Sequence, residues 1–455
     1  MHRIVVTTLL VAVLLPAGLA AAPPGQEQVL DNGLKVVVQE DHRAPVVVSQ
    51  IWYRVGSSYE QDGTTGLSHV LEHMMFQGTQ RHGAGELSRI IAENGGEENA
   101  FTGADYTAYF QKLERSRYPV SLELEADRMQ GLVLSQKEFD KEIKVVMEER
   151  RLRTEDDPKS LLYETAMAMA FQTSPYRNPV IGWMSDLQHM TTADLRRWYE
   201  QWYLPGNAIL VVAGDVQPQE VFKAAEQHFG PLAKRDLVPV KPRPEVAQSG
   251  LRRVNLRTVA SLPYLLLAYK VPVLRNAMEA PERVRESEIY ALQVLAGVLD
   301  GGASARLSRY VVRERRIAAT AGAHYDPHDR LESLFVFDGV PAEGKRISDV
   351  EEALRAEVSK LREQLVAPEE LQRIKTQVIA NEVYQLDSTF YQAMQIGLLE
   401  SVGLPWRLKD QYVDRIKAVT AEQVREVARK YLIDDRLTVA TLEPLPAAAA
   451  PGQGG

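Results

Sequence analysis

Cysteine is absent from all 455 residues. The chain therefore has no disulfide, no thiolate nucleophile and no acceptor for an N-terminal lipid, and any metal must be held by His and carboxylates. Positive charge is in deficit as well, with 53 Lys and Arg against 61 Asp and Glu, a net charge of −8. That balance supplies no bulk field to neutralise nucleic-acid phosphates, so nucleic acid is not an expected partner. A long uninterrupted apolar span is also missing. The run Ile4 to Leu15 is broken by Pro16 and Gly18 before the ~20 residues that a membrane-crossing helix needs. With Met1-His2-Arg3 ahead and Ala20, Ala21 and Ala22 behind, it reads as a secretory signal peptide over residues 1–22. The mature chain is expected to be periplasmic or secreted, without stable membrane insertion.

The remaining composition, 45% hydrophobic and 25% charged, is that of a globular protein. The length calls for more than one domain, since single cores stop growing beyond ~250–300 residues. Residues 231–250, with Pro231, Pro239, Pro242 and Pro244, read as an extended linker between an N-terminal body, 23–230, and a C-terminal body, 251–443. The Ala-, Pro- and Gly-rich tail 444–455 is expected to be disordered. In the first body, Val29 to Gln39 reads as strand, Asn-Gly turn and strand, and Val46 to Val55 as a further β run. Helical spacing covers 65–76, 85–94, 119–133, 137–153 and 191–202, and Ala208 to Gly214 reads as a buried strand. The segment Thr192 to Val212 matches Thr420 to Ala440 without a gap, Tyr203 falling on Tyr431 at an offset of 228. This predicts an α+β fold of two homologous domains, each a mostly antiparallel sheet packed with helices.

The chemistry concentrates in Gly66-Leu67-Ser68-His69-Val70-Leu71-Glu72-His73-Met74-Met75-Phe76. On a helix, His69 and His73 lie about 40° apart and one turn apart in height, close enough to meet one cation. Glu72 falls about 60° from His69 on the other flank, where a water-activating base belongs. With 9 His and 61 Asp and Glu in the chain, the pattern H-x-x-E-H is expected by chance only about 0.02 times. A catalytic zinc site takes three protein ligands and one exchangeable water, so another donor is required. Glu142 and Glu149 lie seven apart on a second predicted helix, with Val145 and Val146 between them. About 10.5 Å of helix separates them, so only one can reach the metal while the other serves its surroundings or the substrate. Glu148, near Lys141 and Lys144, sits on a solvated face, and an exposed Glu149 pair with Arg153 would be worth only ~0.3–0.5 kcal/mol. The pair His324 and His328 cannot share a helix, because Pro327 intervenes.

These residues resemble the inverted zincins of the pitrilysin type, the family of insulin-degrading enzyme and the mitochondrial processing peptidase. The resemblance spans nearly the whole mature chain. It includes Asn99-Ala100-Phe101-Thr102 with Tyr106-Thr107, Pro175 to Gly182, and Glu142 through Glu149. It implies one Zn2+ per chain on His69, His73 and Glu149, with Glu72 as base on the metal's water and Glu142 as an accessory acid grouped with the catalytic residues. It further implies two domains facing each other like a clamshell. Asn99, Ala100, Phe101 and Thr102 would form an edge strand to which an extended peptide or unfolded protein segment adds. In the second domain, Gly301 to Leu307 and Val312 to Arg315 resemble the family pattern in which an Arg, here Arg313, and a Tyr seven residues later bind the substrate carbonyl. Here that Tyr position holds Thr320. Either Tyr310 or Tyr325 substitutes, or a partner chain of the same fold supplies the pair, in a homodimer or with a paralogous subunit. A second reading, supported by Thr320, is a non-catalytic peptide-binding or assembly subunit.

Overall fold

The computed structural model describes residues 25–446. The signal-peptide reading of residues 1–22 lies outside them, as do residues 447–455. The first sheet contains β1 (Gln26–Val29), β2 (Lys35–Glu40), β3 (Val46–Tyr53), β4 (Glu97–Thr102), β5 (Thr107–Glu114) and β6 (Ala208–Gly214), in the order β1-β2-β6-β3-β5-β4. The second contains β7 (Arg252–Val259), β8 (Tyr264–Val271), β9 (Ala318–His324), β10 (Ser333–Pro341) and β11 (Leu437–Leu445), in the order β7-β11-β8-β10-β9. Each sheet is antiparallel except for one parallel pair, β2 with β6 and β7 with β11. With β1 set aside, the two orders coincide strand for strand, so one topology occurs twice.

The repeat is real but its register is 229, not 228. The helices Thr192–Trp202 and Ala421–Tyr431 are capped by Thr191 and Thr420, each through a capping box, and are followed by the short turns Pro205–Asn207 and Asp434–Arg436. In this register the buried Leu195, Trp198, Tyr199 and Trp202 fall on the buried Val424, Val427, Ala428 and Tyr431. Aligning Tyr203 with Tyr431 by identity moved the match by one residue, helped by Thr192 standing beside the true cap. The tail also begins later than expected. β11 runs through Leu445, with Pro444 and Leu445 opposite Thr258 and Val259. Its pairing with β8 has ended at Leu442, so Pro444 sits where a missing N–H is tolerated.

The helices of the first domain include α1 (Leu67–Met74), α2 (Glu86–Glu93), α3 (Tyr118–Gly131), α4 (Gln136–Arg150) and α5 (Pro158–Ala170). The strands alternate strictly. On β3 and β6, Val47, Ile51, Tyr53, Leu210 and Val212 enter the core beneath α1, α3 and α4. Val48, Trp52, Ile209 and Val211 face the other way, onto Ala393 and Ile396 of the helix Thr389–Ser401, which follows β10 in the chain. The exchange is reciprocal, because Leu162 and Ala166 of α5 pack on Leu266, Ala440 and Leu442 of the second sheet. Both sheets are thus buried on both faces, which is why β6 reads as a continuous apolar run.

Residues 233–249 contain no helix or strand and cross between the domains. This segment is tied down. Arg243 donates to the Ser58 and Glu60 carbonyls at 3.1 and 2.9 Å. The Glu245 carboxylate accepts from the backbone N–H groups of Gln172, Thr173 and Ser174 and, at 2.5 Å, from the buried Lys270 ammonium.

The domain contact leaves no room at Gly397, where a Cβ would lie 2.1 Å from the indole of buried Trp52. Ala normally favours a helix by up to ~1 kcal/mol over Gly. Gly397→Ala is nevertheless expected to cost ~1–3 kcal/mol through overpacking, read as a lower urea midpoint. Gly83→Ala, where a Cβ meets nothing closer than 3.9 Å, should leave the midpoint unchanged.

Candidate metal centre

α1 starts abruptly, and its start sets the positions of both histidines. Gly66 caps it at φ 89°, in the left-handed region that favours glycine. A Cβ there would lie 2.8 Å from the Ile181 carbonyl oxygen, while one on Gly182 would lie 2.6 Å from that of Thr65. This close approach accounts for the segment Pro175 to Gly182, which abuts the helix start. The N-terminus is held by Glu60, fully buried, whose carboxylate accepts the backbone N–H groups of Gly66 and Ser68, each at 2.7 Å. Burial pushes Glu60 up to about 7, against the lowering effect of those hydrogen bonds. Sequence reasoning missed Glu60. An acid six to eight residues ahead of the groups it caps lies outside the usual capping pattern.

α4 packs against α1 through Phe139, Ile143 and Val146, while Val145 is half exposed. It delivers Glu149 to the His pair: Glu149 Oε2 lies 3.8 Å from His69 Nε2 and 3.5 Å from His73 Nε2. Among the described residues, these three form the one group of His, Asp and Glu donors whose ligand atoms all fall within 4.8 Å of one another. Such spacing suits a single small cation at ~2.0–2.2 Å from each donor. The other oxygen, Oε1, receives Arg153 at 2.8 Å. One carboxylate can therefore keep this ion pair and still offer its other oxygen to a cation. Burial, with His73 and Arg153 nearby, pushes His69 down to about 3, so its ring is neutral with a lone pair free for a metal. Its Nδ1 is buried without a hydrogen-bond partner.

Glu72 lies beside this group, its carboxyl raised chiefly by burial and steadied by Thr102 Oγ1, which donates to Oε2 at 2.5 Å. Thr102 belongs to β4, which among the described residues pairs only with β5 and leaves its other edge open. A cavity of about 860 Å³ brings His69, Glu72, His73 and Glu149 together with Asn99, Ala100, Phe101 and Thr102.

Glu142, grouped with the catalytic residues by resemblance, sits behind His73, the placement that its seven-residue spacing from Glu149 allowed for a carboxylate serving the surroundings of the site. It does not line the cavity. It accepts from His73 Nδ1 at 3.3 Å and from Gln77 Nε2 at 3.0 Å, so it orients the His73 ring from behind. Arg313 departs from expectation. It is exposed, does not line the cavity, and donates to the Ser308 and Ala303 carbonyls of its own helix and the turn before it. Thr320 lies exposed on the edge strand β9. Tyr325 is a core residue, its hydroxyl donating to the Pro272 carbonyl at 2.7 Å, and Tyr310 also stays out of the cavity. Asp329 and Ser333 are what the second domain contributes to the cavity instead. As expected, Glu148 is on the solvated face, paired with Arg151 at 2.8 Å.

Residues 35–183 match the family described as Insulinase (Peptidase family M16), and residues 189–378 match Peptidase M16 inactive domain. The chain is 32% identical over 372 residues, 81% of each protein, to a protein named Zinc protease PqqE from Helicobacter pylori. It is 25% identical over 404 residues, 89% of this chain and 95% of the relative, to the uncharacterized zinc protease YmxG of Bacillus subtilis. A crystal structure of a protease from Helicobacter pylori superimposes with a TM-score of 0.86 at 31% identity, over 93% of this chain and all (100%) of that one. The periplasmic protease PqqL from Escherichia coli shares the fold, with a TM-score of 0.76 at 19% identity, 93% of this chain matching 48% of that one. The repeated domain, the His-His-Glu group of its first copy and these likenesses together place the chain in peptidase family M16, the insulinase family.

Proposed function

We propose that the chain is an exported zinc-dependent endopeptidase that hydrolyses extended peptides or unstructured protein segments. The observation that carries this reading is the convergence of His69, His73 and Glu149 in one cavity with Glu72 and the open edge of β4. When bound there, zinc would polarise a carbonyl and lower the pKa of a water towards ~7. The unpaired backbone groups of β4 hold a substrate in extended form through main-chain hydrogen bonds, with little demand on its side chains. Glu72 takes the water proton and returns it to the leaving amine. Thr102 fixes that carboxylate through Oε2, so the same group accepts and donates without reorienting. Neither Arg313 nor Thr320 lines the cavity, which supports a second copy or a paralogous chain as the source of further carbonyl-binding groups. The description of residues 189–378 as an inactive domain falls on the half without the motif, and the metal donors of the first half favour the catalytic reading over a purely peptide-binding one.

Glu72→Gln is expected to lower kcat about 10²–10⁴-fold with zinc content unchanged, measured with a quenched fluorescent peptide and elemental analysis. Retained turnover refutes the base. Glu149→Gln should lower zinc stoichiometry, and an unaltered zinc content would remove Glu149 from the ligand set. Glu142→Gln should weaken zinc about 10–100-fold in a chelator competition while keeping the same pH dependence of cleavage. A change in that profile would return Glu142 to the catalytic machinery.

A further inference from the structure

The charged side chains lining the cavity are almost all matched. Arg153 pairs with Glu149 at 2.8 Å, Glu164 receives Arg150 at 2.8 and 2.9 Å, and Arg177 pairs with Asp62. Glu72, served by Thr102, and Asp329 are the exceptions. Asp329 is the one ionisable group the second domain contributes to the cavity, and its hydrogen-bond partner is Ser333, whose hydroxyl donates to it. Among the described residues it takes part in no ion pair within 4.0 Å, whereas every other acid lining this space does, except Glu72, which Thr102 serves. Its electrostatic neighbours, Asp326 and Asp105, carry the same sign, and burial together with them pushes its carboxyl up to about 8. An acid in that position lacks a cation.

The loop that carries Asp329 is rigidly placed. The next residue, Arg330, donates from its backbone N–H to Asp105 at 2.9 Å and from its side chain to Asp105 at 3.1 Å and Ser58 at 2.7 Å. The Leu331 N–H donates to the Tyr176 hydroxyl at 3.1 Å. These first-domain partners fix the loop against the wall opposite its own sheet, so Asp329 is presented to the cavity without an ordering cost on binding.

We propose that Asp329 forms a subsite for a cationic side chain, Lys or Arg, of the peptide held along β4. The proposal rests on the peptidase reading and adds a substrate preference to it. A peptide cation entering this space would find an unmatched carboxyl in a partly desolvated setting, where opposite charges attract more strongly than in water. A peptide carrying Glu at the same point would bring a second carboxyl against Asp329.

The test uses full-length protein carrying Glu72→Gln and fluorescent extended peptides that differ only in having Lys, norleucine or Glu at one position, moved along the sequence. Affinity is read by anisotropy. At one position Lys is expected to bind about tenfold tighter than norleucine, and Glu weaker than both. Asp329→Asn should bring Lys and norleucine to equal affinity, and Asp329→Lys should reverse the order in favour of Glu. Asp329→Asn keeps an acceptor for Ser333 and removes repulsion with Asp326 and Asp105, so its thermal midpoint should not fall. Equal affinity for Lys and norleucine at every position, or a Lys preference that survives Asp329→Asn, overturns the proposal. Failure of the peptidase reading shows separately, as no cleavage of any of these peptides by the zinc-loaded chain with Glu72 intact.

Discussion

One carboxylate meeting two imidazoles organises the first domain. Bringing Glu149 Oε2 to within 3.5 and 3.8 Å of His73 and His69 takes charged and polar groups out of water. That is costly unless the groups are matched. Arg153 satisfies one oxygen of Glu149, and Glu142 satisfies the back of His73. What stays unmatched is the inward side of the group, where two ring nitrogens and one oxygen face each other, and the outward Nδ1 of His69. A divalent ion is the ligand whose chemistry suits the inward side. The helix contact that creates this meeting is apolar, and the start of α1 is fixed by a buried acid and two closely approaching glycines. The precision of the polar group is therefore set by its packed surroundings.

The second domain serves the site through architecture more than through chemistry. Each sheet lends one face to a helix of the other domain, and the connector is bound at Arg243 and Glu245 to both. Breaking the two halves apart would expose core residues on both sheets and on the helices that cover them, so the cavity between them has a defined wall. This is what lets Asp329, on the loop between β9 and β10, and Ser333, at the start of β10, face the cavity that holds His69, His73 and Glu149 of the first domain.

Much of this was legible in the chain. The five predicted helices, at 65–76, 85–94, 119–133, 137–153 and 191–202, correspond to Leu67–Met74, Glu86–Glu93, Tyr118–Gly131, Gln136–Arg150 and Thr192–Trp202, because amphipathic period and caps are local properties. The His69, Glu72 and His73 spacing was legible for the same reason. The repeat could be seen, but its register was set by cap chemistry and burial, not by residue identity. Long-range partners were not legible. Nothing near Glu60 indicates that it caps α1, and nothing near Asp329 indicates that Arg330 anchors its loop to the opposite domain. That Arg313 stays out of this chain's own cavity was not legible, because a short motif says which residue is present but not where its helix points. Pro444 and Leu445 looked like tail because the strand partner that orders them, β7, lies almost 190 residues earlier.

The central claim is that His69, His73 and Glu149 share one ion. Anomalous diffraction at the zinc edge from crystals of the zinc-loaded chain tests it most directly. The expected result is a single strong peak about 2.0–2.2 Å from both His Nε2 atoms and from a Glu149 oxygen. A peak held by Glu142, or one placed away from this trio, would contradict it.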